Sequence, residues 1–237
     1  MAVSDRIATA TASVFALATL LGATAIYAAN SALTFIEVQR DGVDGVEGLD
    51  SAHSVTLSPD GKHLYAVGDT DHAVAVFSRN STTGALTFVE SHRDGVDGVD
   101  GLRSAIFVIV SSDGNHLYVA GADDHAVAVF SRNSTSGALT FVEFHKDGVG
   151  GVDGLNGSHS LAVSPDGKNL YAVGNNDDTV VVFRRNSITG SLTLVEVHRD
   201  GIDGVDGLDG VHSVAVSPDG KHLYFASELD SAVALFG

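Results

Sequence analysis

The chain of 237 residues contains no cysteine. That excludes disulfides, thiolate zinc sites, iron–sulfur clusters and a thiol nucleophile. Basic residues are scarce: 13 Lys and Arg stand against 30 Asp and Glu, a formal net charge of −17. Such a surplus excludes nucleic acid as the expected partner, because its phosphates would be repelled, and disfavours an anionic membrane surface. No run beyond the first thirty residues has helical period, and there is no Gly-x-Ser-x-Gly elbow. What is present is a hydrophobic content of 44%, enough for a sizeable core and too much for a disordered acidic chain, together with 27 glycines.

Residues 1–29 read differently from the rest. The stretch Ile7 to Ala29 is uncharged, apolar and rich in Ala and Thr, and it ends in small residues such as Tyr27-Ala28-Ala29. It predicts a secretory signal peptide, and it is also long enough for an uncleaved membrane anchor. The expected location is secreted, periplasmic or cell-surface, membrane-anchored if the segment is retained.

The remainder, 30–237, is one unit repeated. Ala32-Leu33-Thr34-Phe35 recurs as Ala85-Leu86-Thr87-Phe88, as Ala138-Leu139-Thr140-Phe141 and as Ser191-Leu192-Thr193-Leu194, each 53 residues on. The repeats are 32–84, 85–137, 138–190 and 191–237. Each holds four strand-like runs punctuated by turns, such as Ser217-Pro218-Asp219-Gly220 and Ser81-Thr82-Thr83-Gly84. Four short antiparallel strands repeated radially predict an all-β fold, a β-propeller of four four-stranded blades. The repeat region opens with a fourth strand, Leu33 to Val38, and ends with a third, Ala232 to Phe236. Pairing them would close the ring and remove both exposed edges. A monomer closed within one chain is the first expectation, because intramolecular pairing enjoys a high effective concentration. An eight-bladed ring of two chains is the alternative, and a polymer is a third.

Ser58-Pro59-Asp60-Gly61-Lys62-His63-Leu64-Tyr65, its copy at Ser217–Tyr224, and Ala73-Val74-Ala75-Val76-Phe77-Ser78-Arg79-Asn80 resemble the repeat of bacterial YVTN-type, lactonase-family β-propellers. The resemblance spans all four copies. It implies a fold usually built from seven blades, in a family named for a sugar-lactone hydrolase whose members include extracellular binding proteins. It assigns no catalytic residue on this chain.

Strand direction places the long blade-to-blade connections and the loops between second and third strands on one face. That face holds 21 acids against five bases. The long connections supply Asp41, Asp44, Glu47 and Asp50; then Asp94, Asp97 and Asp100; then Asp147 and Asp153; then Asp200, Asp203, Asp206 and Asp209. Hard carboxylate oxygens on glycine-rich loops are what Ca²⁺ takes, so these thirteen are the calcium-ligand candidates. An acid at every third residue differs from the alternation of an EF-hand loop. The competing readings are a solvated face that maintains solubility and a surface for a cationic partner. The regular apolar residue of each triplet (Val43, Val46, Leu49 and their copies) predicts a loop with one side packed on its blade.

His53, His159 and His212 begin the innermost strand of three copies, with Ile106 in the fourth. With Arg103 they are the binding candidates at the channel mouth. The repeated tyrosines and phenylalanines read as packing between blades, and His63, His116 and His222 as surface residues. Catalysis needs different groups converging on one bond, and near-identical copies offer few. The first expectation is therefore a secreted scaffold or binding module with an acidic, calcium-binding face, and not an enzyme. A lactone hydrolase like the 6-phosphogluconolactonases and a self-assembling surface protein are the alternatives.

Overall fold

The computed structural model describes residues 33–237, so the leader expected at 1–29 lies outside it. Among the described residues no helix is long and apolar enough to cross a membrane. The chain divides between Phe35 and Ile36, and every sheet lies in the unit Ile36–Gly237.

Fifteen strands appear in four sheets. Blade 1 runs β1 (Ala52–Leu57), β2 (His63–Gly68), β3 (Ala73–Arg79) and β4 (Leu86–Arg93). Blade 2 runs β5 (Ala105–Val110), β6 (His116–Gly121), β7 (Ala126–Arg132) and β8 (Leu139–Lys146). Blade 3 runs β9 (Ser158–Val163), β10 (Asn169–Gly174), β11 (Thr179–Arg185) and β12 (Leu192–Arg199). Blade 4 has three strands: β13 (Val211–Val216), β14 (Leu223–Ser227) and β15 (Ala232–Phe236). Neighbouring strands pair antiparallel in sequence order, with a register shift near one end of each first strand. The all-β propeller expectation holds, four strands to each complete blade.

Local chemistry sets the turns. In the first copy Ser58 Oγ donates to Asp60 Oδ1 at 2.6 Å and accepts from the His63 amide at 3.0 Å, while Gly61 takes a φ of 67°. In the turn after β3, Asn80 Oδ1 accepts from the amides of Thr82 and Thr83, and Asn133 and Asn186 do the same in later copies. These side chains are occupied by turn formation.

The core lies between blades. First strands of successive blades lie side by side, β1 by β5, β5 by β9 and β9 by β13. Three clusters bridge the interfaces, and Tyr65, Tyr118, Phe130 and Phe183 are fully buried in them. The interblade role expected of the aromatics is thus met. One expectation is corrected: His63 and His116 are buried, because the next blade covers the start of their strand. Arg132 Nη2 donates to His63 Nδ1 at 2.8 Å, and Arg185 Nη2 to His116 Nδ1 at 2.7 Å. A guanidinium has no acceptor, so both imidazoles are neutral with the proton on Nε2. Burial first, and the neighbouring arginine second, holds both below the ordinary histidine range. His222, with no following blade, is exposed.

The expected closure is also corrected. Residues 33–40 form no strand, and β15 pairs only with β14. Glu37 Oε1 instead accepts from the Leu86 amide at 2.6 Å, on blade 1. The four blades form an open arc whose first and last faces are exposed, with Val55 at 64% and Val233 at 71%.

Candidate functional site at the channel mouth

The long connections are ordered by their first acid. Asp41 Oδ1 accepts from the Leu49 amide at 3.1 Å, Asp94 from Leu102 at 3.1 Å, Asp147 from Leu155 at 3.0 Å and Asp200 from Leu208 at 2.9 Å. The second acid stands in the left-handed region: Asp44, Asp97 and Asp203 have φ of 53°, 51° and 52°. Aspartate tolerates that region and glycine suits it better, which explains Gly150 in the third copy at φ 63°. The remaining acids, Glu47, Asp50, Asp100, Asp153, Asp206 and Asp209, are exposed or half-buried around them.

The apolar residues split as the packed-loop reading requires. Val46, Val99 and Val152 are buried, and Leu102, Leu155 and Leu208 completely so, while Val43, Val96, Val149 and Ile202 point to solvent. A second loop joins each connection. Asp71 accepts from the Asp50 amide at 3.0 Å, Asp124 from Arg103 at 3.0 Å, and Asp230 from Asp209 at 2.9 Å. The two acid-bearing loops of each blade therefore share one face.

Two groups of carboxylates converge there, Asp94 with Asp100 and Asp124, and Asp147 with Asp153 and Asp177. Within each group the oxygens lie within 4.8 Å of one another. Burial first, then the charges of Asp124 and Asp100, pushes the Asp94 carboxyl up. The thirteen sequence candidates are thus not one ligand set. Four of them enter these groups, joined by Asp124 and Asp177 from the shorter loops.

Of the inner-strand histidines, His159 and His212 meet, while His53 lies against Ile106. His53 Nδ1 lies 3.2 Å from the Ile106 carbonyl, and His159 Nδ1 lies 3.2 Å from the His212 carbonyl. In both, Nδ1 carries the proton and Nε2 keeps its lone pair. The rings of His159 and His212 stand 4.5 Å apart, edge to face. Burial first, then the charge of His212, holds His159 below the usual histidine range. Around His212 are two residues that pattern reading misses. Asn175 Nδ2 lies 3.0 Å from its Nδ1, and Glu228 Oε2 lies 3.6 Å from its Nε2. Both come from loops in which the other copies carry different residues, so periodicity gives no signal for them. Arg103 is exposed in the loop before β5.

The sequence matches the family described as "Lactonase, 7-bladed beta-propeller" over residues 25–206. The chain belongs to that lactonase family. A relative described as a 6-phosphogluconolactonase of Formosa agariphila is 27% identical over 136 residues, 56% of this chain and 35% of its own length. A solved structure described as a putative 6-phosphogluconolactonase from Bacteroides uniformis superposes with a TM-score of 0.64 at 21% identity, covering 80% of this chain and 54% of that one. A periplasmic gluconolactonase from Pseudomonas aeruginosa gives 0.55 at 26% identity, over 63% of this chain and 40% of its own. The chain therefore spans well under two thirds of the lactonase-family proteins it resembles. The family membership bears out the repeat-based resemblance and removes the support for a non-enzymatic scaffold as the first reading.

Proposed function

We propose that this protein hydrolyses a sugar lactone at the channel mouth. The observation that carries the reading is the extent of the lactonase match, which covers three whole repeats and both His53 and His159. His159 supports it chemically, as an imidazole held neutral with its Nε2 lone pair free. In the proposed reaction Nε2 takes a proton from water as the water oxygen bonds to the lactone carbonyl carbon. Collapse of the tetrahedral adduct breaks the ring C–O bond, and the same proton passes to the departing ring oxygen, leaving an open hydroxy acid. The surrounding acids would repel a phosphorylated substrate, so a neutral lactone is the class we assign. Export through a leader at 1–29 would place this reaction outside the cytoplasm.

Opening of gluconolactone by the folded chain, followed by pH-stat, is expected to exceed the buffer rate. His159→Ala is expected to lower kcat/KM by about 10²-fold or more, the range of a lost general base. Absence of turnover across a panel of neutral and phosphorylated lactones removes the reading.

A second reading, calcium on the acidic face, is favoured by the converging groups around Asp94 and Asp147. Three carboxylates supply part of the six to eight oxygens that Ca²⁺ takes, and backbone carbonyls and water would supply the rest. Calorimetric titration is expected to show uptake that Asp124→Asn weakens. No heat and an unchanged melting temperature dispose of it.

A further inference from the structure

The two ends of the arc expose the same residue columns that its internal interfaces bury. Between blades 1 and 2, Tyr65 Oη donates to the Gly137 carbonyl at 2.9 Å, and Arg132 Nε donates to Tyr65 Oη at 2.6 Å. Between blades 2 and 3, Tyr118, Gly190 and Arg185 repeat this at 2.9 and 2.7 Å. On the open side of blade 4 the column continues as Tyr224, which is 42% exposed. On the open side of blade 1 the complementary column is Arg79 and Gly84. Among the described residues the Arg79 side chain bonds its own blade there, to the Gly61 carbonyl at 3.1 Å.

The strands are complementary in the same way. Among the described residues blade 4 has three strands, and Ile36–Gln39 lies against blade 1 in the place that a preceding fourth strand takes at the later interfaces. Glu37 receives the Leu86 amide just as Glu90 receives Leu139 and Glu143 receives Leu192, each at 2.7 Å. A cavity of about 550 Å³ opens between blades 3 and 4, lined by Tyr171, Glu196, His198, Leu223 and Phe236. At the equivalent place between blades 1 and 2 sit Leu139, 5% exposed, and Arg132, 8% exposed. By the repeat, Leu33 is the residue that would replace Leu139.

We infer that the occupant of both faces is a second copy of this chain. Blade 1 of each copy packs on blade 4 of the other, and residues 33–40 of each become the fourth strand on β15 of the other. The contact is head-to-tail, and it closes after two copies into an eight-bladed ring. Curvature favours two copies over one. The arc overlays 54% of a larger propeller, so a second arc completes a circle that a single chain would have to tighten to reach. The register follows from β7 and β8, where Val127 faces His145. By the repeat, Val233 of one copy faces Gln39 of the other.

The absence of native cysteine makes a cross-link unambiguous. The double variant Val233→Cys, Gln39→Cys is oxidised in about 0.15 M salt, where charges farther apart than about 8 Å are screened. Expected are a native mass of two chains for the unmodified protein and a disulfide-linked dimer on a denaturing gel. Tyr224→Ala with Leu33→Asp is expected to return the unmodified protein to one chain while its circular dichroism is unchanged. A cross-linked monomer, a ladder of higher species, or a single-chain native mass at every concentration overturns the inference.

Discussion

Replacing Arg185 with alanine is expected to cost about 1–3 kcal/mol, the usual penalty when buried polar groups lose their hydrogen-bond partner. The side chain is 5% exposed and each of its three nitrogens donates. Nη2 reaches both oxygens of Asp113 at 3.0 and 2.7 Å and His116 Nδ1 at 2.7 Å. Nη1 donates to the Gly167 carbonyl at 2.9 Å, and Nε to Tyr118 Oη at 2.7 Å. Alanine would leave the Tyr118 phenol oxygen and the His116 imidazole without a donor inside the interface of blades 2 and 3, while Asp113, which is exposed, keeps its bonds from Ser111 and the Asn115 amide. Burial already pushes the Tyr118 phenol up to about 12, so it stays neutral and its oxygen simply loses the Arg185 donor. Lysine would keep the charge but not the planar fork, and should recover part of the loss. Arg184→Ala is the control: that side chain is exposed, and its removal should change stability by no more than about 0.5 kcal/mol. Urea denaturation midpoints of the three variants decide the matter. Equal midpoints for Arg185→Ala and Arg184→Ala would show that the buried network contributes nothing.

Arg185 also marks where reading by pattern stops. The 53-residue period puts it in the column of Arg79 and Arg132, with Arg184 where the other copies have serine, but the period does not show that the column is buried between blades. The 53-residue period, the four strands per copy and the turns at Ser58 and Asn80 are local features. Alternation, proline, glycine and asparagine report them directly. The burial of His63 and His116 is not local. It depends on a following blade that covers their strand, and the identical His222 is exposed for want of one. Ring closure is not legible for a related reason. The strand phase at Leu33 and at Ala232 suits pairing within a chain or between chains, and the choice lies in the angle between blades, which side-chain packing sets.

The acidic connections were legible as acidic and as half-packed, but the division of labour within each triplet was not. Spacing presents Asp94, Asp97 and Asp100 as equals. The structure gives the first to a backbone amide and the second to a left-handed turn, and brings the third toward Asp94 and Asp124. Strand position put His53, His159 and His212 at the start of first strands, and the structure has His53 and His159 inside β1 and β9 and His212 inside β13. Asn175 gave no signal and Glu228 counted only as one acid of the charged face; neither repeats in the other copies, and together they give His212 surroundings that His53 and His159 lack.

Leu102→Ala should destabilise the protein by about 2–5 kcal/mol, as removal of a fully buried leucine does, although it sits in the most charged segment of blade 2. Its amide is held by Asp94 at 3.1 Å, and its side chain belongs to the cluster with Tyr65, Val67, Val99 and Leu117. Val96→Ala, six residues earlier in the same connection, should fall within about 0.5 kcal/mol, because Val96 is 48% exposed. Neither substitution alters charge, so the difference isolates packing from electrostatics. A freely solvated acidic loop predicts small and equal effects for both, and thermal melts that gave this result would refute the anchored loop. An anchored loop has a chemical consequence as well. Carboxylates held on a rigid support cannot swing out into water or relax apart, so the raised Asp94 carboxyl, set by burial first and by the charges of Asp124 and Asp100 second, is a property of the fold.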